Sequence, residues 1–462
     1  FQTGVTGASG VLGNLVLAVD GSYVYSVANA SVLYLSDAET KVDIFTIKSI
    51  DGTTKDVSFT IHGTNQGAVI GDPSPAAVVE DFHPVLGLLT ETGKLTITDP
   101  DTGEAKFQTT VTAAVGDKGQ LALAEDGTYI YSVANADVQY LGAGITKTDT
   151  FTIKSFDGTS KAVHFTITGV NDDAVIGDPN PASVTEDLGV VANRISASGQ
   201  LTVTDIDAGE SSFRTAVIAA LGDKGQLTLS TDGHYTYSVL NADVQYLGAG
   251  LTKTDTFTVK SFDGTAKDIS FTITGVNDAA VIGVPVPGAV TEDLNPNGLS
   301  RLTETGRLTV SDADTGESSF QTGVVSALGD LGQLTLGTDG SYAYSVANAD
   351  VQYLGAGVTK TDTFTVKSFD GTAKDISFTI TGVNDAAQIS DASPATVTED
   401  LAVVANRLSV SGQLTVTDVD AGEGSFRTAV TAATGDKGQL TLGTDGRYTY
   451  SVLNSDVQYL GA

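Results

Sequence analysis

Oxygen-bearing side chains recur in a fixed order along this chain of 462 residues, and their chemistry suits a hard cation. The order is V-[TV]-E-D, then D-x-D-[TA]-G-E nineteen or twenty residues later, then S-[IF]-D-G-T, and finally an Asn-Asp pair. Crowded carboxylates repel one another unless a cation neutralises them, and oxygen ligands without His or Cys favour calcium over zinc or copper. The motifs therefore indicate calcium binding.

Each motif contributes one or two candidate calcium ligands per copy. In motif order they are Glu80, Glu186, Glu292 and Glu399; Asp99, Asp101, Asp205, Asp207, Asp312, Asp314, Asp418 and Asp420; Asp51, Asp157, Asp263 and Asp370; and Asn171, Asp172, Asn277, Asp278, Asn384 and Asp385. Taken alone, each motif also fits a simpler structure: a hairpin turn, a solvated loop or an Asx-turn at the end of a strand. The recurrence of all four in the same order favours the calcium hypothesis.

The motifs belong to a longer repeat in which F-[QR]-T-x-V recurs every 106 or 107 residues. Its five copies begin at Phe1, Phe107, Phe213, Phe320 and Phe426. A period of this length is the size of a small independent domain and exceeds that of solenoid units. We therefore expect a partial module at residues 1–68, whole modules at 69–174, 175–280 and 281–387, and a partial module at 388–462. Because methionine is absent, we expect the chain to be part of a longer polypeptide.

The modules are expected to be all-β sandwiches of the immunoglobulin or cadherin type. Alternating apolar and polar residues predict half-buried strands, and Asp232-Gly233 and Asp263-Gly264 predict tight hairpin turns. The strands predicted in the module at 175–280 are Gln200–Thr204, Gln226–Leu229, Tyr235–Val239, Thr256–Ser261 and Ile269–Thr274. About seven short strands in 106 residues suit such a sandwich.

Recurring aromatic residues allow two interpretations. In the same module they are Phe213, Tyr235, Tyr237, Tyr246, Phe257, Phe262 and Phe271. Strand alternation places most of them in the core, whereas a sugar-binding platform requires two or three on one exposed face. The core interpretation is favoured, and a carbohydrate-binding module with glycan partners stays open as an alternative.

Composition narrows the classes of partner. The chain carries 56 Asp and Glu against 24 Lys and Arg, a net charge of -32. This charge disfavours nucleic acid and anionic membrane surfaces and attracts cations, although a merely solubilising acidic surface has the same composition. Cysteine is absent, and no apolar run is long enough for a membrane helix, so we expect neither disulfides nor membrane insertion.

An Asn-Asp pair followed by Glu, then D-x-D, then D-G before the last strands resembles the cadherin pattern of calcium binding between domains. More closely, V-N-D-A-A, V-T-E-D-L, L-T-V-T-D-x-D-A-G-E and T-D-T-F-T-V-K-S-F-D-G-T resemble the VCBS repeat of large bacterial RTX-type surface adhesins, over essentially the whole chain. The resemblance implies that the candidate ligands bind interdomain calcium. The first complete linker departs from the pattern because Gln66 stands where the others have Asp, so calcium binding there is in doubt or weaker.

An enzyme is not expected. The four histidines, His62, His83, His164 and His234, occupy unrelated module positions and build no repeated metal or general-base site. Phosphate-binding loops, nucleophile elbows and H-E-x-x-H are absent from the sequence.

The favoured hypothesis is a calcium-stiffened extracellular repeat region of a bacterial adhesin or fibre, serving adhesion or biofilm architecture. Its expected partners are calcium and neighbouring modules or copies of the same chain. A self-assembling filament or sheath subunit joined by strand exchange is the alternative, because both ends of the chain lie within a module.

Overall fold

The computed structural model describes residues 1–286, 288–393 and 396–460. These residues form β-strands and short 3₁₀ helices, and the described part of the chain contains no α-helix. It also contains no helix long and apolar enough to cross a membrane. The chain divides into two compact units. The first comprises Phe1–Ala182, Ala197–Ser238 and Asp255–Phe271, and the second comprises Ser183–Ser196, Val239–Thr254 and Thr272–Ala462.

The strands follow the repeat of the sequence. Those in residues 1–68 are β1 (Gln2–Gly7), β2 (Asn14–Leu17), β3 (Tyr23–Ser26), β4 (Thr40–Lys48) and β5 (Thr54–His62). Those in residues 69–174 are β6 (Val69–Ile70), β7 (Ala77–Val79), β8 (Leu88–Lys94), β9 (Ile97–Thr98), β10 (Thr112–Ala113), β11 (Gln120–Leu123), β12 (Thr128–Ala134), β13 (Thr146–Lys154) and β14 (Ser160–Thr168). Those in residues 175–280 are β15 (Val175–Ile176), β16 (Ser183–Thr185), β17 (Arg194–Gln200), β18 (Val203–Thr204), β19 (Phe213–Ala219), β20 (Gly225–Leu229), β21 (His234–Leu240), β22 (Thr252–Ser261) and β23 (Ala266–Thr274).

The pattern continues to the end of the described chain. The strands in residues 281–387 are β24 (Val281–Ile282), β25 (Ala289–Thr291), β26 (Arg301–Arg307), β27 (Val310–Ser311), β28 (Val325–Ser326), β29 (Gln333–Leu336), β30 (Ser341–Ala347), β31 (Thr359–Lys367) and β32 (Ala373–Thr381). Later strands are β33 (Gln388–Ile389), β34 (Arg407–Gln413), β35 (Val416–Thr417), β36 (Gly438–Leu442) and β37 (Arg447–Leu453). The 3₁₀ helices are Asn29–Ser31, Asn135–Asp137, Asn241–Asp243, Asn348–Asp350 and Asn454–Asp456.

Residues 69–174 of the first unit show how one sandwich is built. One sheet has the order β10-β13-β14-β7, and the other has the order β11-β12-β8. All pairings are antiparallel except that β7 runs parallel to β14. In the core, the rings of Tyr131 and Phe165 stack with centroids 4.5 Å apart. Buried and exposed side chains alternate along the strands because one face of each sheet packs on this core.

Residues 281–387 of the second unit repeat the arrangement, with sheets β25-β32-β31-β28 and β26-β30-β29. Tyr344 and Phe378 stack there with centroids 4.4 Å apart. The expected all-β sandwich fold with its period of about 106 residues is thus confirmed. The precise module boundaries stay a prediction.

Most of the strands predicted in residues 175–280 are correct. The exception is Gln200–Thr204, because Gln200 ends β17 and Val203–Thr204 forms β18, with the buried Leu201 between them. The predicted Asp-Gly turn at Gly233 has φ of 88°, and a Cβ there would lie 2.3 Å from the carbonyl oxygen of Leu201. Only glycine suits that position.

Five of the seven aromatic residues named for the module are buried, as the core interpretation predicts: Phe213, Tyr235, Tyr237, Phe257 and Phe271. Tyr246 and Phe262 are instead 36% and 54% exposed.

A buried aspartate joins the two sheets in each sandwich. Asp149 on β13 is fully buried and accepts hydrogen bonds from the hydroxyl of Tyr131 at 2.9 Å and the backbone N–H of Gly119 at 2.6 Å. Lys147 Nζ lies 3.2 Å from its Oδ1. Burial alone raises the pKa of Asp149, but these donors outweigh it and hold the pKa below its usual value. Asp149 therefore has a structural role in the core. It belongs to none of the four acidic motifs proposed as calcium ligands.

Candidate metal centres at the module linkers

The linker at residues 170–174 is held by the D-x-D loop that follows it. The backbone N–H of Asp172 donates to Oδ2 of Asp207 at 3.0 Å, and the N–H of Asp207 donates to Oδ1 of Asp205 at 2.9 Å. The N–H of Ala208 donates to the carbonyl oxygen of Tyr140 at 2.9 Å. Consequently the loop contacts both the linker and the preceding sandwich.

The S-F-D-G-T turn reaches the same linker from another side. Asp263 accepts hydrogen bonds from the hydroxyls of Ser261 and Thr265, and its Oδ2 lies 3.4 Å from both Asn171 Nδ2 and the Ala174 backbone nitrogen. Burial raises the pKa of Asp263, but these donors reverse the effect and hold the pKa well below its usual range. Asp263 is therefore ionised and its oxygens are largely engaged.

Glu80 anchors the start of this linker. Its side chain is buried, and Oε2 accepts a hydrogen bond of 3.0 Å from the backbone N–H of Val170. Its Oε1 accepts a hydrogen bond of 2.8 Å from Gln139 Nε2, which also lies 3.0 Å from Oδ1 of Asp81. Glu80 thus meets the linker ninety residues further along the chain.

Several of these carboxylates have one oxygen that is buried without any hydrogen-bond partner among the described residues. Near residues 170–174 these atoms are Asp172 Oδ2, Asp205 Oδ2 and Asp207 Oδ1. Asp207 as a whole is only 1% exposed. Burying a carboxylate oxygen without a partner is costly, and a bound cation would remove that cost.

Burial and repulsion between these carboxylates raise the pKa values of Glu80 and Asp172. Burial raises the pKa of Glu80, and the negative charges of Asp172, Asp81 and Asp207 raise it further. Burial and the charges of Asp81, Asp207 and Asp205 likewise raise the pKa of Asp172. Like charges held together in this way disfavour ionisation until a cation arrives.

The second unit repeats this arrangement at residues 276–280. The N–H of Asp278 donates to Asp314 Oδ2 at 2.9 Å, and the N–H of Asp314 donates to Asp312 Oδ1 at 3.0 Å. Asp278 Oδ2, Asp312 Oδ2 and Asp314 Oδ1 are buried without partners among the described residues. Burial, followed by the charges of Asp278 and Asp187, raises the pKa of Glu186 to about 7.

The remaining ligands of this linker follow the same geometry. Glu186 accepts from the N–H of Val276 at 3.1 Å, and Asp370 Oδ2 lies 3.5 Å from Asn277 Nδ2. The linker thus has the same three contacts as its counterpart in the first unit.

Residues 383–387 of the second unit carry a third copy. Asp385 donates its N–H to Asp420 Oδ2 at 2.9 Å, Asp420 donates its own to Asp418 Oδ1 at 3.0 Å, and Glu292 accepts from the N–H of Val383 at 3.0 Å. Asn384 Nδ2 donates to the carbonyl oxygen of Asp385 at 2.6 Å. The unpaired buried oxygens at this place are Asp385 Oδ2 and Asp420 Oδ1.

The linker at residues 64–68 differs in its central side chain. The N–H of Gln66 donates to Asp101 Oδ2 at 2.7 Å, which reproduces the backbone contact. Its side-chain amide turns back to Thr64, with Nε2 3.1 Å from the carbonyl oxygen. Asp99 and Asp101 keep unpaired oxygens, and Asp157 lies 3.3 Å from Asn65 Nδ2. This linker lacks the carboxylate that the others place at its centre.

Two candidate ligands, Asp51 and Glu399, show no hydrogen bond to a linker within the described residues. Asp51 is exposed and accepts hydrogen bonds within its own turn, from the Ser49 hydroxyl and from the Thr53 N–H at 3.1 Å. Glu399 is half-buried. Neither is joined to a linker by a hydrogen bond that the structure shows within the described residues.

The structure also identifies partners that the sequence analysis did not assign as ligands. Asp81 and Gln139 adjoin Glu80. Glu210 of the D-x-D loop lies so close to the preceding sandwich that a Cβ on Gly142 would be 2.5 Å from its Oε1. The sequence could have pointed to these residues, because the segments that contain them, V-[TV]-E-D, N-A-D-V-Q and D-A-G-E, recur with the period of the modules.

The acidic side chains do not form a completed coordination shell. Across residues 1–286, 288–393 and 396–460, no group of three or more His, Cys, Asp or Glu side chains is arranged to hold a metal ion. The unpaired oxygens show that the donor set fits a hard cation in chemistry and charge.

Comparison with known proteins supports a cadherin-like repeat. Residues 171–275 match the family model of the bacterial cadherin-like domain. Similar solved structures include the extracellular domain of protocadherin GammaB4, at 13% identity over 97% of this chain and 73% of that chain, with a TM-score of 0.42. They also include the human desmocollin-1 ectodomain, at 12% identity over 97% and 84% with a TM-score of 0.31, and Drosophila N-cadherin EC1-4, at 11% over 82% and 92% with a TM-score of 0.32.

A search of the curated proteins gave no match. The family match covers residues 171–275, and that segment is similar to the bacterial cadherin-like domain.

Proposed function

We propose that this chain is a structural repeat segment whose linkers bind calcium, and that calcium fixes each linker against its flanking sandwiches. The supporting observation is the set of buried, unpaired carboxylate oxygens on linker and D-x-D residues, exemplified by Asp172 Oδ2 and Asp207 Oδ1. Burial without a partner is unfavourable for such atoms, and calcium prefers oxygen ligands of this type.

The residues of the chain have distinct parts in this mechanism. Asp172 and Asp207 are held by their backbone contact with one carboxylate oxygen of each left free, while Asp205 orients the loop by accepting the Asp207 N–H. Glu80 fixes the start of the linker through Val170. Calcium supplies the positive charge that permits these carboxylates to stay ionised side by side.

The wider role that suits this chemistry is extracellular adhesion. We propose that the modules belong to a bacterial surface adhesin or fibre of the VCBS or RTX type, in which stiffened repeats project an adhesive region or contribute to a biofilm matrix. The cadherin-like match of residues 171–275 and the absence of catalytic motifs from the sequence support a structural task.

The test compares the thermal unfolding of the 462-residue chain in EDTA and in millimolar calcium. A ligand that binds only the folded state at 100 times its Kd stabilises by about 2.7 kcal/mol, so the melting temperature should rise by several degrees. Equal melting curves, together with no heat of binding in calorimetry, would overturn the proposal.

Matched variants make the test specific. Replacing Asp207, Asp314 and Asp420 together by Asn keeps the oxygen that accepts the linker N–H and removes the charge, so the calcium-induced rise should shrink. Asp268→Asn with Asp375→Asn is the control, because these exposed strand residues hydrogen-bond only to the hydroxyls of Thr258 and Thr365 in the hydrogen bonds the structure shows. The control should retain the full response.

A further inference from the structure

A glutamine amide joins two acidic side chains at the end of three sandwiches. Gln139 Nε2 lies 2.8 Å from Glu80 Oε1 and 3.0 Å from Asp81 Oδ1. In the second unit Gln245 makes the same contacts with Glu186 and Asp187, and Gln352 makes them with Glu292 and Asp293, at the same two distances. The amide therefore bridges the Glu and Asp of each V-T-E-D motif.

This bridge satisfies the glutamate without a cation. The second oxygen of Glu80 accepts the Val170 N–H at 3.0 Å, so both of its carboxylate oxygens have donors. Asp81 also accepts from Asn135 Nδ2 and receives the Gln139 amide. A hydrogen bond to a charged acceptor is stronger than one between neutral groups, so the bridge is a substantial local stabilisation.

On the D-x-D side of the same linker, by contrast, some carboxylate oxygens have no hydrogen-bond donor among the described residues. Asp205 Oδ2 and Asp207 Oδ1 are buried with no donor among the described residues, although both side chains are anchored through their other oxygen. A cation can bind these oxygens without breaking any hydrogen bond that they already accept. On the Glu80 side the cation must first displace the Gln139 amide, which already donates to Glu80 Oε1 and Asp81 Oδ1.

We infer that calcium fills each linker in two steps and that Gln139, Gln245 and Gln352 set the affinity of the second step. The D-x-D side, with the linker aspartate, binds first. The glutamate side binds at higher calcium because the amide competes for Glu80 Oε1 and Asp81 Oδ1, while in the absence of calcium the same amide keeps the site folded. This inference rests on the proposed function.

The first module supplies a natural comparison for the glutamine. Gln139 lies two residues after the 3₁₀ helix Asn135–Asp137, and Leu33 lies two residues after the equivalent helix Asn29–Ser31. An apolar side chain thus occupies the equivalent position in residues 1–68, where no V-[TV]-E-D motif precedes the helix. A methionine replacement retains the length of glutamine and removes its amide.

The test is calcium titration of the chelator-treated full chain by calorimetry, using calcium chloride alone. The unmodified chain should show two phases. The combined variant Gln139→Met, Gln245→Met and Gln352→Met should leave the first phase in place and move the second to about tenfold lower calcium, equivalent to about 1.4 kcal/mol. In EDTA the same variant should melt at a lower temperature, because the amide bridge is lost.

The possible outcomes are distinct. A second phase that stays in place, or moves to higher calcium, would show that the amide does not compete and would overturn the inference while leaving calcium binding intact. A chain that takes up no calcium in any form contradicts the proposed function instead. If the triple variant does not fold, Gln245→Met alone should shift part of the second phase, and an unshifted phase in that variant equally contradicts the inference.

Discussion

The backbone N–H of Asp172 donates a 3.0 Å hydrogen bond to Oδ2 of Asp207, although the two residues are 35 positions apart in sequence. The contact fixes the linker against the D-x-D loop and leaves Oδ1 of Asp207 buried without a partner among the described residues. Asp278 with Asp314 and Asp385 with Asp420 repeat it in the second unit. One backbone hydrogen bond thus positions the linker and leaves a buried carboxylate oxygen of Asp207 unpaired.

Hydrogen exchange should show which linkers respond to calcium. We expect calcium to slow exchange of the backbone amides in residues 170–174, 276–280 and 383–387, because bound calcium would order the linker. Residues 64–68 should respond less, since Gln66 brings a neutral amide that is turned towards Thr64. Mass spectrometry of peptides from the intact chain measures this, with strand β13 as an unresponsive reference. Equal protection of all four linkers would contradict the prediction.

A reciprocal exchange tests the role of the central linker side chain. Gln66→Asp adds the missing carboxylate, so exchange in residues 64–68 should become calcium-sensitive. Asp278→Gln removes it from residues 276–280 and should weaken protection there, while residues 170–174 serve as the internal control in both variants. Protection unchanged by either substitution would mean that the central carboxylate does not determine calcium binding.

The buried aspartate of the core should affect stability and leave calcium binding unchanged. Asp149→Asn keeps the shape of the side chain but replaces an ionised acceptor of the Tyr131 and Gly119 donors, so we expect a loss of about 2 kcal/mol. Urea unfolding measures the change, and calorimetry should give the same calcium uptake as for the unmodified chain. A large fall in calcium uptake would assign Asp149 to the metal site.

The same variant defines a pH dependence. The pKa of Asp149 is lower in the folded chain than its usual value, because the donors around it outweigh the effect of burial, so its ionisation favours folding. This contribution is complete above the unfolded pKa and is lost as pH falls through the lower folded value. The stability difference between the unmodified chain and Asp149→Asn should therefore be constant from pH 7 to about pH 5 and shrink below about pH 4. A difference that grows on acidification contradicts the assignment.

Gly169 should be required for the approach of the linker to the sandwich. A Cβ at this position would lie 2.0 Å from the backbone carbonyl oxygen of Leu141, so Gly169→Ala must displace the chain just before Val170. We expect a loss of about 2 kcal/mol or more and weaker calcium binding. Gly323→Ala is the matched control, because a Cβ there meets nothing within 4 Å and its φ is not positive. Similar melting curves for both variants would show that close approach at Gly169 is unimportant.

Much of the fold follows from local patterns. Apolar alternation correctly predicts β20 to β23, because a half-buried strand repeats every two residues wherever it lies. The division at Leu201 was missed because an apolar residue between two short strands continues the same alternation. Most of the recurring aromatic residues were expected in the core, and five of the seven are buried. Tyr246 and Phe262 are partly exposed and lie outside the alternating strands.

The sequence by itself determined the repeat, the sandwich class and the recurrence of acidic motifs, because these depend on residue types and short spacings. Only the tertiary structure decided how those acids differ. Asp207 has an unpaired oxygen, Glu80 is satisfied by Gln139 and Val170, and Asp51 stays in its own exposed turn. The partners of Glu80 lie 59 and 90 residues away, so no local pattern assigns them. Chain folding brings such distant residues together, and it thereby determines which carboxylate oxygens are paired and which are left unpaired.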